Sequence, residues 1–573
     1  MTALPLLVTL AIGSVRIGTN ASAPFQFALD GSENSIVVAN MTSLTGVSGI
    51  YVTKLSSAGK IVYSDRLGYS VATAPFASFL DSAGECFVVD SMTALNGVSG
   101  LYVTKINTSG AIVYTTRLGT SPATQPFAAT LDPSGNVHVV TSMKSLSGVA
   151  GLYSIKLNTA GATVYSVSLG TKPATAPFAA NLDSAGNEFT LSSLTAANGV
   201  SGLYLSKLST TGSLAFNNRI GYNAATAPYG NGFDSSANLF SVSSMTSTSG
   251  VSGLFLLKVN ANGTTTFSSR LGYSPATSPF WATLDSSDNT YTVSNLTNLS
   301  GVTGLFYSKT NSSGTTIYNG RLGYSPASAP FAVTVDSSSN LYSVANMTAL
   351  NGSKGLYYSK LNATGTVVYN DRLGSNPAAV PFDARLDGSG NAFAFSNMTA
   401  TTGVSGLYVT KLSSTGAVSY MDRIGYNPAG FPFGDYVDSA SNVYTVASMT
   451  GLSGTTGLYF TKLSSTGKVT YNVRVGINAV APPFSYWIDG SGNVLTLANM
   501  SSLTGAAGLY LNKVGATGTV AYSVRLGSNP ASTGYAYYLD GSGNAFCAAS
   551  MTSLSGVTGL YVSKLSASGA TLY

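Results

Sequence analysis

Few residues in this chain have the side chains that catalysis needs. It holds one histidine, His138, and two cysteines, Cys86 and Cys547. A nucleophile requires a base beside it, and His138 stands in a valine-rich stretch with no partner motif. The cysteines lie far apart at non-equivalent positions, so no disulfide between them is expected. One charged group stands out: Asp383 and Arg385, with Asp435 about fifty residues on. Two carboxylates and an arginine could serve a hydrolase or lyase, and the plainer reading is a local ion pair. A second group is aromatic: Trp281, Tyr436, Tyr486, Trp487, Tyr537 and Tyr538 replace small residues found earlier in the chain. Such rings can stack on sugars, or fill space. These nine residues are the candidate ligand-binding set. No catalytic, metal-binding or cofactor-binding residue is assigned, and no cofactor is expected.

Two further motifs recur. A turn of the form D-x-S-G-N, cleanest at Asp387-Gly388-Ser389-Gly390-Asn391, faintly resembles a calcium loop. Calcium needs several hard oxygen ligands, commonly more than one carboxylate, and each turn offers one Asp. The side chains of Asp and Asn are instead expected to bond the turn backbone. A Lys and an Arg recur twelve residues apart, as Lys54 and Arg66. They are expected to pair locally with a carboxylate or carbonyl, and to guard a sheet edge.

These motifs repeat because the whole chain repeats. The Arg stands at 16, 66, 117, 219, 270, 321, 372, 423, 474 and 525, with Ser168 where one is due. The first step is 50 residues and the register thereafter is 51. Each of eleven units, from Asp30 to Asp540, carries four strand-like runs. They are of the type Pro126 to Asp132, Val137 to Met143, Gly100 to Ile106 and Ala111 to Gly119. Gly, Asn, Asp and Ser between them suit tight hairpins, and no helical period appears. The fold class expected is all-β: a β-propeller-like array of eleven four-stranded antiparallel blades. With no break in register, residues 1–573 read as a single array.

Alternation orients the first strand. Five residues before each Asp stands Phe25, Phe76, Phe127, Phe178, Tyr229, Phe280, Phe331, Phe382, Phe433, Phe484 or Tyr535, and the residue just before the Asp is apolar. These positions share one face and should stack one sheet on the next.

The order LDSSGNVYxV, GLYVTKL, xVYSxRLG resembles the β-propeller repeats called SBBP repeats. Two departures stand out: Arg replaces an aromatic before LG, and the loop between second and third strands is a constant MTSLSGVSG. The resemblance implies a propeller and no settled activity.

The last unit stops at Tyr573, where SVRLG is due, and Ser14-Val15-Arg16-Ile17-Gly18 supplies that piece. Residues 1–18 are therefore expected to complete the last blade, with 19–573 forming the eleven units. Val15 and Arg16 should pair near Leu560 to Lys564. Pairing within the chain closes a ring; pairing with the next molecule gives an open spiral or filament. Residues 1–13 are apolar, lack the basic start of a signal peptide, are too short to span a bilayer, and read as an extension of the closing strand.

Composition sets the functional class. Of 573 residues only 8% are charged and the net charge is +6. The excess is spread along the repeats with no basic block, so nucleic acid is not an expected partner. Twelve N-x-S/T sequons, among them Asn40-Met41-Thr42, suit an exterior setting. The reading is a non-enzymatic structural or adhesive protein, extracellular, on a cell surface or on a virion exterior. Its expected partners are copies of itself or other surface proteins, with no membrane span. A carbohydrate-binding propeller is the alternative, and a carboxylate-based hydrolase or lyase a distant one.

Overall fold

Runs of alternating apolar and small polar residues, closed by Gly and Asn, leave each segment no stable form except a short strand packed on its neighbours. The structure is a computed structural model and describes residues 14–20, 26–69, 77–122, 128–171, 179–222, 230–234, 236, 238–273, 280–328, 331–380, 382–387, 389–429, 433–530 and 535–573. Every element named in these residues is a strand. After β1 (Val15–Thr19), the first unit holds β2 (Gln26–Leu29), β3 (Ser35–Ser43), β4 (Ser48–Leu55) and β5 (Ile61–Tyr69). They pair antiparallel in that order, and the pattern recurs through Thr558–Leu565, the third strand of unit 11.

Antiparallel order fixes two ends. Turns between first and second, and between third and fourth strands, share the aspartate end. The hairpin between second and third strands lies at the other, the hairpin end. The close of each fourth strand bonds the next unit there, as in Gly68 with Ala94 and Tyr69 with Thr93. Units 4 and 5 are separate four-stranded sheets, joined to their neighbours by the single bridges Thr171–Thr195, Tyr222–Thr246 and Tyr273–Thr297. All units therefore stand the same way round.

The core lies between units. Phe331 and Val335 pack against Leu305, Tyr307 and Leu322 of the preceding unit, and Phe484 and Ile488 against Tyr444 and Phe460. This is the facing that the alternation predicts. Phe25, Phe76, Phe127, Phe178, Tyr229, residues 1–13 and the Tyr535 side chain lie outside the described residues.

One contact is repeated at every junction between consecutive units. The fourth-strand aromatic lies on a glycine of the next unit's aspartate-end turn: Tyr63 on Gly110, Tyr114 on Gly161, Tyr522 on Gly569. Gly161 has φ +79, and a Cβ there would also strike the Tyr114 ring. Only glycine meets both demands. Between units 11 and 1 the same contact appears, with Tyr573 on Gly59. There β1 pairs with the third strand of unit 11, Val15 with Val562 and Arg16 with Tyr561, and its end pairs with β3. Ile17, Val37 and Tyr51 share a core cluster with Phe546, Leu560 and Tyr573. The pairing of Val15 and Arg16 is thus within the chain, beside the strand the sequence points to.

One buried carboxylate stands without a side-chain partner among the described residues. Asp90 occupies a second-strand position that is Ala39, Thr141, Ser192 or Ala345 elsewhere. It is 2% exposed, and no side chain among the described residues hydrogen-bonds its carboxylate. Burial pushes it up to about 8, and the Ser91 amide offsets this only in part. Folding therefore favours protonated Asp90, and this contribution is lost as pH rises from about 4 through about 8. Asp90→Ser should stabilise the protein by about 1–3 kcal/mol at pH 7 and gain more at pH 9. Denaturant melts across this range check it; an equal loss of stability with pH in wild type and variant would refute it.

Candidate functional site

The recurring turn places its Asp by backbone geometry. Oδ1 of Asp30 accepts the amides of Ser32 and Asn34 at 2.9 and 3.0 Å, and Oδ2 accepts Asn34 Nδ2 at 2.9 Å. Lys54 Nζ adds an ion pair at 2.9 Å. Burial raises the Asp30 pKa, but these donors outweigh it and hold the group below its ordinary value. The oxygens that calcium would use are thus engaged, as the turn reading expects. Pairs such as Lys258 with Asp234 at 2.7 Å repeat the arrangement. The lysines also sit over rings, for example Lys309 over Tyr291 at 4.8 Å.

The arginines behave differently. None of those in the repeat series forms an ion pair with a carboxylate among the described residues. Arg525 donates to the Ala507 carbonyl at 2.6 Å, and Arg270 stacks on Tyr273 at 3.7 Å. Of the two partner types expected, the arginine takes the carbonyl and the lysine the carboxylate, because the turn Asp lies at the opposite end of the sheet from the guanidinium.

First strands of units 8 to 10 bring the charged candidates together. Positions two and four before the repeat Asp face the following unit, and positions one, three and five face the preceding one. Arg385 thus meets Asp435 across a unit boundary, Nε to Oδ1 at 2.5 Å, and bonds Asp383 on its own strand at 2.9 Å. Asp435 is 3% exposed. Burial and the Asp383 charge push it up to about 7 against the pull of Arg385. Tyr486 of unit 10 donates its hydroxyl to the Asp435 carbonyl at 2.8 Å. The arrangement is an ion pair and hydrogen bond that lace three first strands.

The aromatic candidates divide. Trp281 packs into the cluster between units 6 and 7, Tyr486 into that between 9 and 10, and Tyr537 into that between 10 and 11. Tyr436, Trp487 and Tyr538 are 41%, 45% and 45% exposed. All three stand two residues before the repeat Asp, at the same register as Arg385, so four consecutive units present an Arg–Tyr–Trp–Tyr series.

Sequence reasoning missed a buried polar group. His138 Nε2 lies 3.4 Å from Asp132, and Nδ1 lies 3.6 Å from Glu188 of the next unit. Lys156 reaches Asp132 at 3.2 Å. Glu188 fills a slot that is Ser, Val, Leu, Thr, Ala or Cys in other units, and that exception one repeat after the exceptional His was the available signal. Cys86 and Cys547 are free and buried. Burial pushes both thiols up to about 12, which makes them poor nucleophiles.

No protein-family model and no curated protein matches the chain. Among solved structures, one described as the eukaryotic initiation factor is 11% identical with a TM-score of 0.38, covering 74% of this chain and 93% of that one. A protein of unknown function from Bacteroides caccae gives 9% and 0.22, covering 47% and 89%. A puromycin hydrolase gives 14% and 0.26, covering 69% and 61%. At these scores the likenesses carry no argument about fold or activity.

Arg385→Ala leaves Asp435 buried without its counter-charge and should destabilise by about 1–3 kcal/mol, given the half-exposed arginine. Adding Asp435→Ala should recover part of that loss. A thermodynamic cycle with no coupling between the two substitutions would show that the pair does not tie units 8 and 9.

Proposed function

We propose that the chain is an eleven-bladed β-propeller closed by β1, acting as a non-enzymatic structural or adhesive protein on an exterior surface. The observation that carries the ring is the Tyr573–Gly59 contact, which repeats across units 11 and 1 the packing found between consecutive units. Lys564 adds a 3.1 Å ion pair to Glu33 at that junction. The grooves match too: one of about 360 Å³ beside Ile17, Tyr51 and Arg66, another of about 310 Å³ beside Leu118 and Tyr153. Eleven blades exceed the usual four to eight, and the resemblance to SBBP repeats agrees with a propeller. Low charge and a Ser/Thr-rich surface support the exterior setting.

A second reading rests on the exposed Tyr436, Trp487 and Tyr538. In a propeller the first strands are innermost, so these rings would line the opening as a platform for the flat faces of sugars. Asp383 would offer a hydroxyl acceptor.

Deleting residues 1–18 should uncover the edge of Thr558–Leu565, lower the melting temperature and promote association. Particle images should show closed rings for the full chain and open or associated forms for the deletion. A monomeric deletion with unchanged melting would exclude β1 as the clasp, and filaments of the intact chain would favour the open spiral. Glycan-array binding lost in Trp487→Ala would establish the sugar reading; no binding would remove it.

A further inference from the structure

Charge that is dispersed in the sequence is sorted by the fold. Lys54 and Arg66 are twelve residues apart, yet Lys54 pairs across from Tyr63 near the aspartate end, and Arg66 sits across from Tyr51 at mid-strand with its side chain running over Gly49 toward the hairpin end. The same register places all ten repeat arginines toward the hairpin end. Lys144 and Lys354, both exposed, flank hairpins there as well. Carboxylates go elsewhere. The eleven repeat aspartates, with Glu33, Glu85, Asp288 and Glu188, sit at the aspartate end. Asp65 and Asp422 point at the aspartate-end turns of the next unit, toward Gly110 and Gly467, and Asp371 stands at the same fourth-strand position, one residue before its unit's arginine. Asp90 is interior, and Asp383 and Asp435 belong to first strands. No hairpin between second and third strands contains an acidic residue, nor does any segment joining one unit's fourth strand to the next unit's first. The charge excess stays spread one arginine per unit, as the sequence has it, and the fold turns those arginines toward one end of the units.

The same end carries exposed apolar tips. The hairpin is of the type S-L-x-G-V, and its leucines stand out in solvent: Leu44 at 53%, Leu146 at 60%, Leu299 at 53%. Val47, Val149 and Val302 beside them are also exposed. Below the tips Arg525 spends one N–H on the Ala507 carbonyl; of the five donors that a guanidinium carries, its Nε is buried and its terminal Nη2 reaches the hairpin end. Tyrosines such as Tyr273 and Tyr324 stack on the arginines at this level.

We infer that the hairpin end binds the surface of an anionic lipid bilayer. Leucine and valine tips would enter the headgroup boundary, tyrosines would sit at the interface, and arginines would take lipid phosphates. A purely electrostatic site for nucleic acid has no use for apolar tips standing beyond the arginines. Stacking on the aspartate end of a second copy would set those tips against Ser, Gly and Asn turns. This inference needs only that the units share one orientation. Ring closure adds that the tips lie in one plane, so that many weak contacts act together.

The test is co-sedimentation of the full chain with vesicles of phosphatidylcholine alone and of phosphatidylcholine mixed with phosphatidylserine. Binding is expected to the mixed vesicles, little to the neutral ones, and less as salt rises. The quadruple variant Leu95→Ser, Leu146→Ser, Leu299→Ser and Leu350→Ser alters only exposed side chains and should melt as wild type. Its affinity for the mixed vesicles should fall at least about tenfold. No binding to either vesicle at low salt would overturn the inference, as would an unchanged affinity in the quadruple variant. Duplex DNA bound while mixed vesicles are not would assign the arginines to nucleic acid instead. A particle that images as an open spiral yet binds mixed vesicles would separate this result from failure of the ring.

Discussion

Everything in this molecule depends on a flat aromatic ring laid over a glycine that has no side chain to resist it. Each repeat is one supersecondary unit that cannot bury its hydrophobic face alone. The Tyr–Gly contact lets each sheet slide close enough to its neighbour to share a core. Around it the turn between third and fourth strands holds that glycine at positive φ: the Gly110 amide donates to the Asn107 carbonyl, and Asn107 Oδ1 accepts the amides of Ser109 and Ala111. Turn, ring and core thus support one another, and the same solution serves unit after unit.

Most of the fold was legible in the sequence because it is local. Strand limits such as Val137–Ser145 and Ser99–Ile106 follow from alternation and turn residues within a dozen positions. The facing of Phe331 and Phe484 follows from the same alternation. The candidate site was legible only in part. Asp383, Arg385 and Asp435 were noticed as a group, but that Arg385 would reach Asp435 depends on which face of one first strand meets the next. The pairing of His138 with Glu188 fell below notice for the same reason: the two are fifty residues apart, and each looks like an isolated oddity. The sorting of lysines from arginines needed the antiparallel order itself, since Arg66 lies opposite Tyr51, close in height to Lys54, and only the direction of each side chain separates the two charges.

Two of the charged exceptions to the repeat are matched across a boundary. His138 in unit 3 meets Glu188 in unit 4; Arg385 in unit 8 meets Asp435 in unit 9. Asp90 is the contrast, an exception with no counterpart, and it is the one whose carboxylate is left without a side-chain partner. A buried polar group in a repeat array is tolerated when the neighbouring unit changes with it. Such pairs also distinguish otherwise interchangeable interfaces and so discourage a unit from docking in the wrong order.

The junction of β1 with the third strand of unit 11 sets the order in which the molecule can be finished. Ser14 and Ser563 lie 2.7 Å apart across 549 residues of chain. Every other fourth strand is made immediately after its third and can pair as it leaves the ribosome. β1 is made first and waits for its partner until the last unit exists. Closing so long a loop adds little to the equilibrium cost, since that cost grows only with the logarithm of length. It does lengthen the search. Throughout synthesis the nascent array therefore carries a strand whose Val15 and Arg16 have no partner yet, and the completed units are held in register by one another before the two ends ever meet.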